Sequence, residues 1–395
     1  MEYTWGSRTF IPELTGEPSP ARTPRAEMWM GTHPRAPSLT LQDGEKKSLT
    51  ELIERDPEGA LGRFIARKFS NKLPFLFKVL AAARPLSIQA HPDREQAKKG
   101  FERESRHRIG LEAPERNYRD ENHKPELICA LRPFWALKGF RDIGEILRLM
   151  ERIGSPVKDL RPDLLRGRSG EEGLKRFFIS LMNMDKESQG RVLEGVIAVS
   201  KDHADDPDQV FEWIGRLNQY FPGDMGALSP LFLNLVRLDP GEAMYITPGE
   251  PHTYLEGAGL ELMANSDNVI RGGLTSKHTD LNEFADILDF SPHRIEILRP
   301  RSKEEGVAVY QTDAEEFMLE RISLSQENNL YESPLRRSAE IMICTEGEAR
   351  LTNRVDGGQL DLRRGVSVFV PAAVRGYSIR GEATIYRASV PLESG

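Results

Sequence analysis

Between Gly144 and Phe221 the apolar residues change period, and that change limits the folds open to this chain. In GEILRLMERIG, Ile146, Leu149, Met150 and Ile153 fall on one face of a helix. Val210, Phe211, Ile214, Leu217 and Phe221 repeat the helical stripe, and GLKRFFISLMN and GRVLEGVIAVS between them also read as helix. On either side the texture differs. Residues 1–140, and the chain from about Leu231 onward, are short apolar runs such as FLFKVL, LSIQA, LFLNLVRL, FMLERISL and VSVFV, separated by glycine and proline. Such runs are strands of a sandwich or jelly roll. The expected architecture is mainly β with an inserted α-helical domain. Its units are 1–143 plus 230–292 (the first β domain), 144–229 (the helical insert) and 293–395 (a second β domain). A short helical stretch is expected around DPEGALGRFIARKF.

A chain of 395 residues exceeds what one hydrophobic core serves, which agrees with that division. The net charge of −7 argues against non-specific nucleic-acid binding, but leaves room for a local basic pocket. The two cysteines, Cys129 and Cys344, form no CxxC pair, so a cysteine zinc site is excluded and a reducing cytosol is expected. No run approaches the ~18 apolar residues of a membrane span. The opening MEYTWGS lacks the basic and apolar regions of a secretory signal, so a cytoplasmic location is expected, with no membrane partner.

The chemistry concentrates in PLSIQAHPD. Gln89 and His91 stand two apart, which on a strand turns both side chains to one face. Glu126 in HKPEL and His252 in TPGEPHTYLEG complete a set of two imidazoles, a carboxylate and an amide oxygen. That set suits a zinc-type ion with room for substrate. Lys78 lies in the apolar run FLFKVL, where an amine is costly unless it finds a partner. The residues alone point to metal-assisted chemistry on a small polyol or sugar phosphate.

Four blocks carry a resemblance. PLSIQAHPD, NHKPEL, TPGEPHTYLEGAGLEL and NSDNVIRGGLTSK, with the opening YTWGSRTFIPELTGE and AEMWMGTHPRAPS, resemble the type I mannose-6-phosphate isomerase family. The resemblance implies cupin-like jelly-roll domains, one Zn2+ per chain, and interconversion of mannose 6-phosphate and fructose 6-phosphate by proton transfer between C1 and C2. It implies Gln89, His91, Glu126 and His252 as metal ligands, Arg271 as essential, and Ser87 and Lys277 beside the substrate. Lys78, His123 and Tyr254 are further candidates for substrate contact. Lys124, Glu261 and Asp267 form the acid–base pool, and the sequence does not choose among them. A monomer is expected. Two alternatives stay open: another metal cupin enzyme, or a non-catalytic sugar-phosphate-binding protein.

The sequence also echoes itself. GEAMYITPGEPH is similar to RRGVSVFVPAAVR. Aligning Pro248 with Pro371 places His252 opposite Arg375 and suggests two jelly-roll units, only the first able to bind metal.

Overall fold

The computed structural model describes residues 1–392 apart from Asp43, residues 167–169, Ala204 and His293. It is mainly β. The first β unit comprises β1 (Glu27–Met30), β2 (Leu39–Gln42), β3 (Glu45–Ser48), β4 (Phe75–Ala82), β5 (Ile88–Ala90), β6 (Glu126–Ala130), β7 (Phe134–Phe140), β8 (Leu233–Leu238), β9 (Ala243–Ile246), β10 (His252–Ala264) and β11 (Ile270–Gly273). β2 and β3 form a separate hairpin. The others join through β10, which is long enough to serve two sheets. Its first half pairs with β5 and β7, and its second half with β4 and β6. The strand turns this corner at Gly257, where φ is 134° and a Cβ would stand 2.6 Å from the Pro133 carbonyl. No other residue fits there without moving backbone.

Between β7 and β8 the chain leaves the sheet. The helices Ile143–Ile153, Gly170–Met182, Lys186–Asp202 and Val210–Tyr220 form the insertion. The stripe read from sequence is the buried one: Ile146, Leu149, Met150 and Ile153 all lie inside. Phe177 and Phe178 meet Phe140, Phe232 and Phe290 of the β unit, so insert and sheet share one apolar core.

The second β unit comprises β12 (Arg301–Glu304), β13 (Val307–Tyr310), β14 (Met318–Leu324), β15 (Leu330–Glu332), β16 (Glu340–Asn353), β17 (Gln359–Arg363), β18 (Ser367–Val370) and β19 (Tyr377–Ser389). Here β16 and β19 are the long strands that serve several partners. Tyr310, Phe317, Leu319 and Ile341 pack with Phe75, Phe77, Leu127 and Leu260, which seats this unit on the first. Among the described residues no helix is long and apolar enough to cross a membrane.

Candidate metal centre

β4 is buried along its whole length, as its unbroken apolar run requires. The chain then turns through Ser87 into β5. Gln89 lies on that strand and His91 just past its end. Register sets Gln89 directly across from His252 on one side and Arg271 on the other. Directly paired residues share a face, so these three side chains emerge together.

His91, Glu126 and His252 are buried and offer ligand atoms that all lie within 4.8 Å of one another. His91 Nε2 is 3.3 Å from Glu126 Oε1, and His252 Nε2 is 3.5 Å from Oε2. Each ring's other nitrogen is fixed by a backbone carbonyl: His91 Nδ1 lies 2.8 Å from the Asn268 oxygen, and His252 Nδ1 lies 3.0 Å from the Glu250 oxygen. A carbonyl only accepts, so both Nδ1 atoms carry the proton. Burial pushes His91 down to about 4, against the pull of Glu126, so its ring is neutral. The His91 Nε2 lone pair therefore faces a carboxylate oxygen, and among the described residues His91 Nε2, His252 Nε2 and Glu126 Oε2 are buried without a hydrogen bond. Lone pairs turned on one another repel unless a cation lies between them. The donor set fits a divalent ion of zinc type, with Gln89 within its face of the sheet.

Lys124 Nζ reaches Glu126 Oε1 at 2.9 Å. Burial would raise Glu126, but the Lys124 ammonium overrides it and holds the carboxylate well below its usual range. One strand away, Lys78 and Glu261 face each other across the β4–β10 register and bond at 2.8 Å, with Glu27 3.6 Å away. Burial, strengthened by Glu126 and Glu27 and opposed by Lys78, raises Glu261. Tyr254 is buried alongside, and burial with Glu261 and Glu126 nearby lifts its hydroxyl well above the ordinary value.

Arg271 is half-buried. Burial, and then the neighbouring charge of Arg119, lowers its guanidinium. Lys277 stands at the rim, lowered by burial and then by Arg271, Arg35 and Arg119. Among the described residues neither Arg271 nor Lys277 has an ion-pair partner, so this corner presents unneutralised positive charge to an anion. Asp267 has less freedom. Its carboxylate meets His33 Nε2 at 3.2 Å and also bonds Arg35. Burial would raise it, but the His33 bond and both neighbouring charges hold it far below the usual range. His123 is drawn off: its Nε2 lies 2.7 Å from Glu316 Oε1, which Arg94 also contacts at 3.1 Å. That oxygen comes from the second β unit, and no described contact ties His123 to His91, Glu126 or His252.

Sequence reading passed over three residues. The Trp29 Nε1 donates to Glu27 at 3.0 Å and its ring lies beside the Lys78 ammonium. Glu27 lies in the block AEMWMGTHPRAPS, from which the sequence reading took no site residue. Asn268, fully buried, ties three segments together. Its carbonyl holds His91, while its side chain accepts from the amides of Arg119 and Asp120 and donates to the carbonyls of Asp120 and Asn122. The Asx-rich spelling NSDN was the available signal.

Two imidazoles and a carboxylate gathered inside a jelly roll, with a helical insertion alongside, define a cupin-type metal-binding protein. Models of the phosphomannose isomerase type I catalytic domain, its helical insertion domain, and the mannose-6-phosphate isomerase cupin domain match residues 1–143, 159–233 and 308–390. The mannose-6-phosphate isomerase of Salmonella typhimurium is 40% identical over 375 residues, 94% of this chain and 93% of that protein. That of Homo sapiens is 31% identical over 398 residues, 94% and 92% of the two chains. This chain belongs to the type I phosphomannose isomerase family. A crystal structure of a zinc-bound mannose 6-phosphate isomerase is similar with a TM-score of 0.91 at 37% identity, covering 99% of this chain and 97% of that one.

Proposed function

We propose that this protein is a zinc-dependent aldose–ketose isomerase that interconverts mannose 6-phosphate and fructose 6-phosphate. The observation that carries this reading is the pair of buried Nε2 atoms converging on Glu126, near Arg271 and Lys277, which have no ion-pair partner among the described residues. His91, Glu126, His252 and the neutral amide of Gln89 hold the ion, which supplies Lewis-acid polarisation of the sugar oxygens.

The remaining residues bind the sugar and move the proton. Arg271 and Lys277, with the Ser87 hydroxyl, take the phosphate or the developing enediolate, since a guanidinium fork matches either anion. Lys78 and Tyr254 donate to sugar hydroxyls. Of the acid–base pool, Glu261 is best placed to pass a proton between C2 and C1, because its raised carboxyl sits beside the donor Lys78. Lys124 orients Glu126 and lies close enough to share the transfer. Asp267, strongly held in its charged form, positions His33 and Arg35. His123 joins the β unit to Glu316 and serves the substrate only from the edge. The three units proposed are 1–143 with 230–292, 144–229 and 293–395. The protein is a cytoplasmic monomer of sugar-phosphate metabolism, and its two buried, unpaired cysteines suit a reducing compartment.

The test is a coupled assay for fructose 6-phosphate formed from mannose 6-phosphate, before and after chelation, with zinc add-back. Activity that vanishes and returns with zinc is expected. A folded, zinc-loaded sample without activity would leave a sugar-phosphate binder in its place.

A further inference from the structure

Where the two β units meet, a cavity of about 480 Å³ opens, away from the metal centre. Its wall is built from the far end of β6, the turn before β9, and strands β14, β16 and β19. Three arginines line it: Arg132, Arg321 and Arg364. Among the described residues none of them has a hydrogen-bond or ion-pair partner for its side chain. Arg132 and Arg364 are exposed and Arg321 is half-buried. The Arg321 Nε is buried with no acceptor. A buried donor left without an acceptor is costly, so the wall favours a molecule that brings one. Hydroxyls of Ser323, Thr345 and Thr384 share the wall, and one carboxylate, Glu346, opposes the three guanidiniums.

We propose that this cavity binds a small phosphorylated metabolite, its phosphate on the three guanidiniums and its hydroxyls on the serine and threonine side chains. The volume lies in the range that takes a small organic ligand. Guanidinium forks pair with phosphate oxygens in two parallel bonds, and an excess of cations over carboxylates selects an anion. The site stands independently of the isomerase reading, because it shares no residue with the metal centre.

Isothermal titration of the zinc-loaded protein with a hexitol 6-phosphate, which cannot isomerise, tests it. Two binding events per chain are expected. One should weaken at least tenfold in Arg321→Met and in Arg364→Met, while the other should persist and isomerase turnover should stay within about twofold. Arg364 is exposed, so its substitution reports on binding even if Arg321→Met fails to fold. Titration with inorganic phosphate separates the sources. Equal affinity for phosphate and the ester identifies free phosphate as the ligand, and tighter binding of the ester identifies the metabolite. A single binding event in the unmodified protein, or two events that neither substitution changes, overturns the proposal.

Discussion

Asn268→Ala probes how the metal ligands are held in place. The side chain accepts from the amides of Arg119 and Asp120 at 2.7 and 3.2 Å, and donates to the carbonyls of Asp120 and Asn122, each at 2.9 Å. At about 0.5–1.5 kcal/mol net for each bond, the four contribute about 2–6 kcal/mol. Asn122 is exposed and Asp120 half-buried, so water recovers part of this and about 3 kcal/mol of destabilisation is expected. The effect should reach the metal, because the same residue's carbonyl holds His91 Nδ1 and its side chain anchors the segment leading to Lys124 and Glu126. Loss of an outer-shell partner lowers metal affinity by roughly 10–100-fold. Zinc affinity, measured by competition with a chromogenic chelator, should fall in that range, and the denaturant midpoint should fall with it. Asn268→Asp should do no better, because its charge would lie about where Nδ2 now sits, 3.3 Å from Asp120 Oδ1. Unchanged zinc affinity in Asn268→Ala would refute this account of how His91 is oriented.

Four further outcomes follow from the same geometry. Arg271→Ala should keep zinc and fold but lower turnover by on the order of 10²–10³-fold, the usual cost of one lost donor to a developing oxyanion; an unchanged rate removes it from the chemistry. His252→Ala should lose zinc and activity together, more severely than any outer-shell change, and full metal occupancy by elemental analysis would count against its assignment. Glu316→Gln should destabilise the protein at neutral pH. Burial would raise this carboxylate, but His123 and Arg94 hold it low, so its stabilisation exists above the ordinary carboxylate range and is lost as the pH falls through its folded value. Denaturation curves of the two proteins should therefore converge in acid, and a difference that grows on acidification would contradict the sign. Metal analysis should give one zinc per chain, and a reproducible second equivalent would show that the C-terminal unit binds metal too.

The β texture and the helical stripe were legible because each buries one face, and periodicity reports a buried face directly. The insert's stripe matches its buried side residue for residue from Ile146 to Ile153. The site was legible in its chemistry and less so in its connections. Gln89, His91, Glu126 and His252 stand out by type and spacing, but which partner each neighbour takes depends on strand register. Lys78 shows this: its place in an apolar run announced a buried partner, yet only the β4–β10 pairing names Glu261. His123 shows the converse. It adjoins the site in sequence, but it follows Glu316 of a distant segment, which no local pattern encodes.

The internal echo is real in the backbone and reversed in the chemistry. Glu126 pairs with Ile246 on β9 and Met263 on β10, and Glu340 pairs in the same way with Val370 on β18 and Ser389 on β19. Counting back equally from Met263 and Ser389 sets His252 beside Ser378, next to Tyr377, and not opposite Arg375 as the proline alignment had it. The sequence match had left the loops free to slip, whereas the ladder does not. Two residues before Met263, Glu261 faces Lys78; at the matching place Arg387 faces Glu320, with the signs exchanged. The carboxylate of Glu340 is already satisfied by Tyr377 at 2.8 Å, Arg337 at 3.3 Å and Arg387 at 3.4 Å. Glu126 instead meets two imidazoles whose Nε2 atoms have no hydrogen bond among the described residues. The same barrel thus solves one problem twice: the first unit leaves its interior negative end for an ion, and the second fills that end with its own guanidiniums, which a metal would have to displace at the cost of leaving buried charges unpaired.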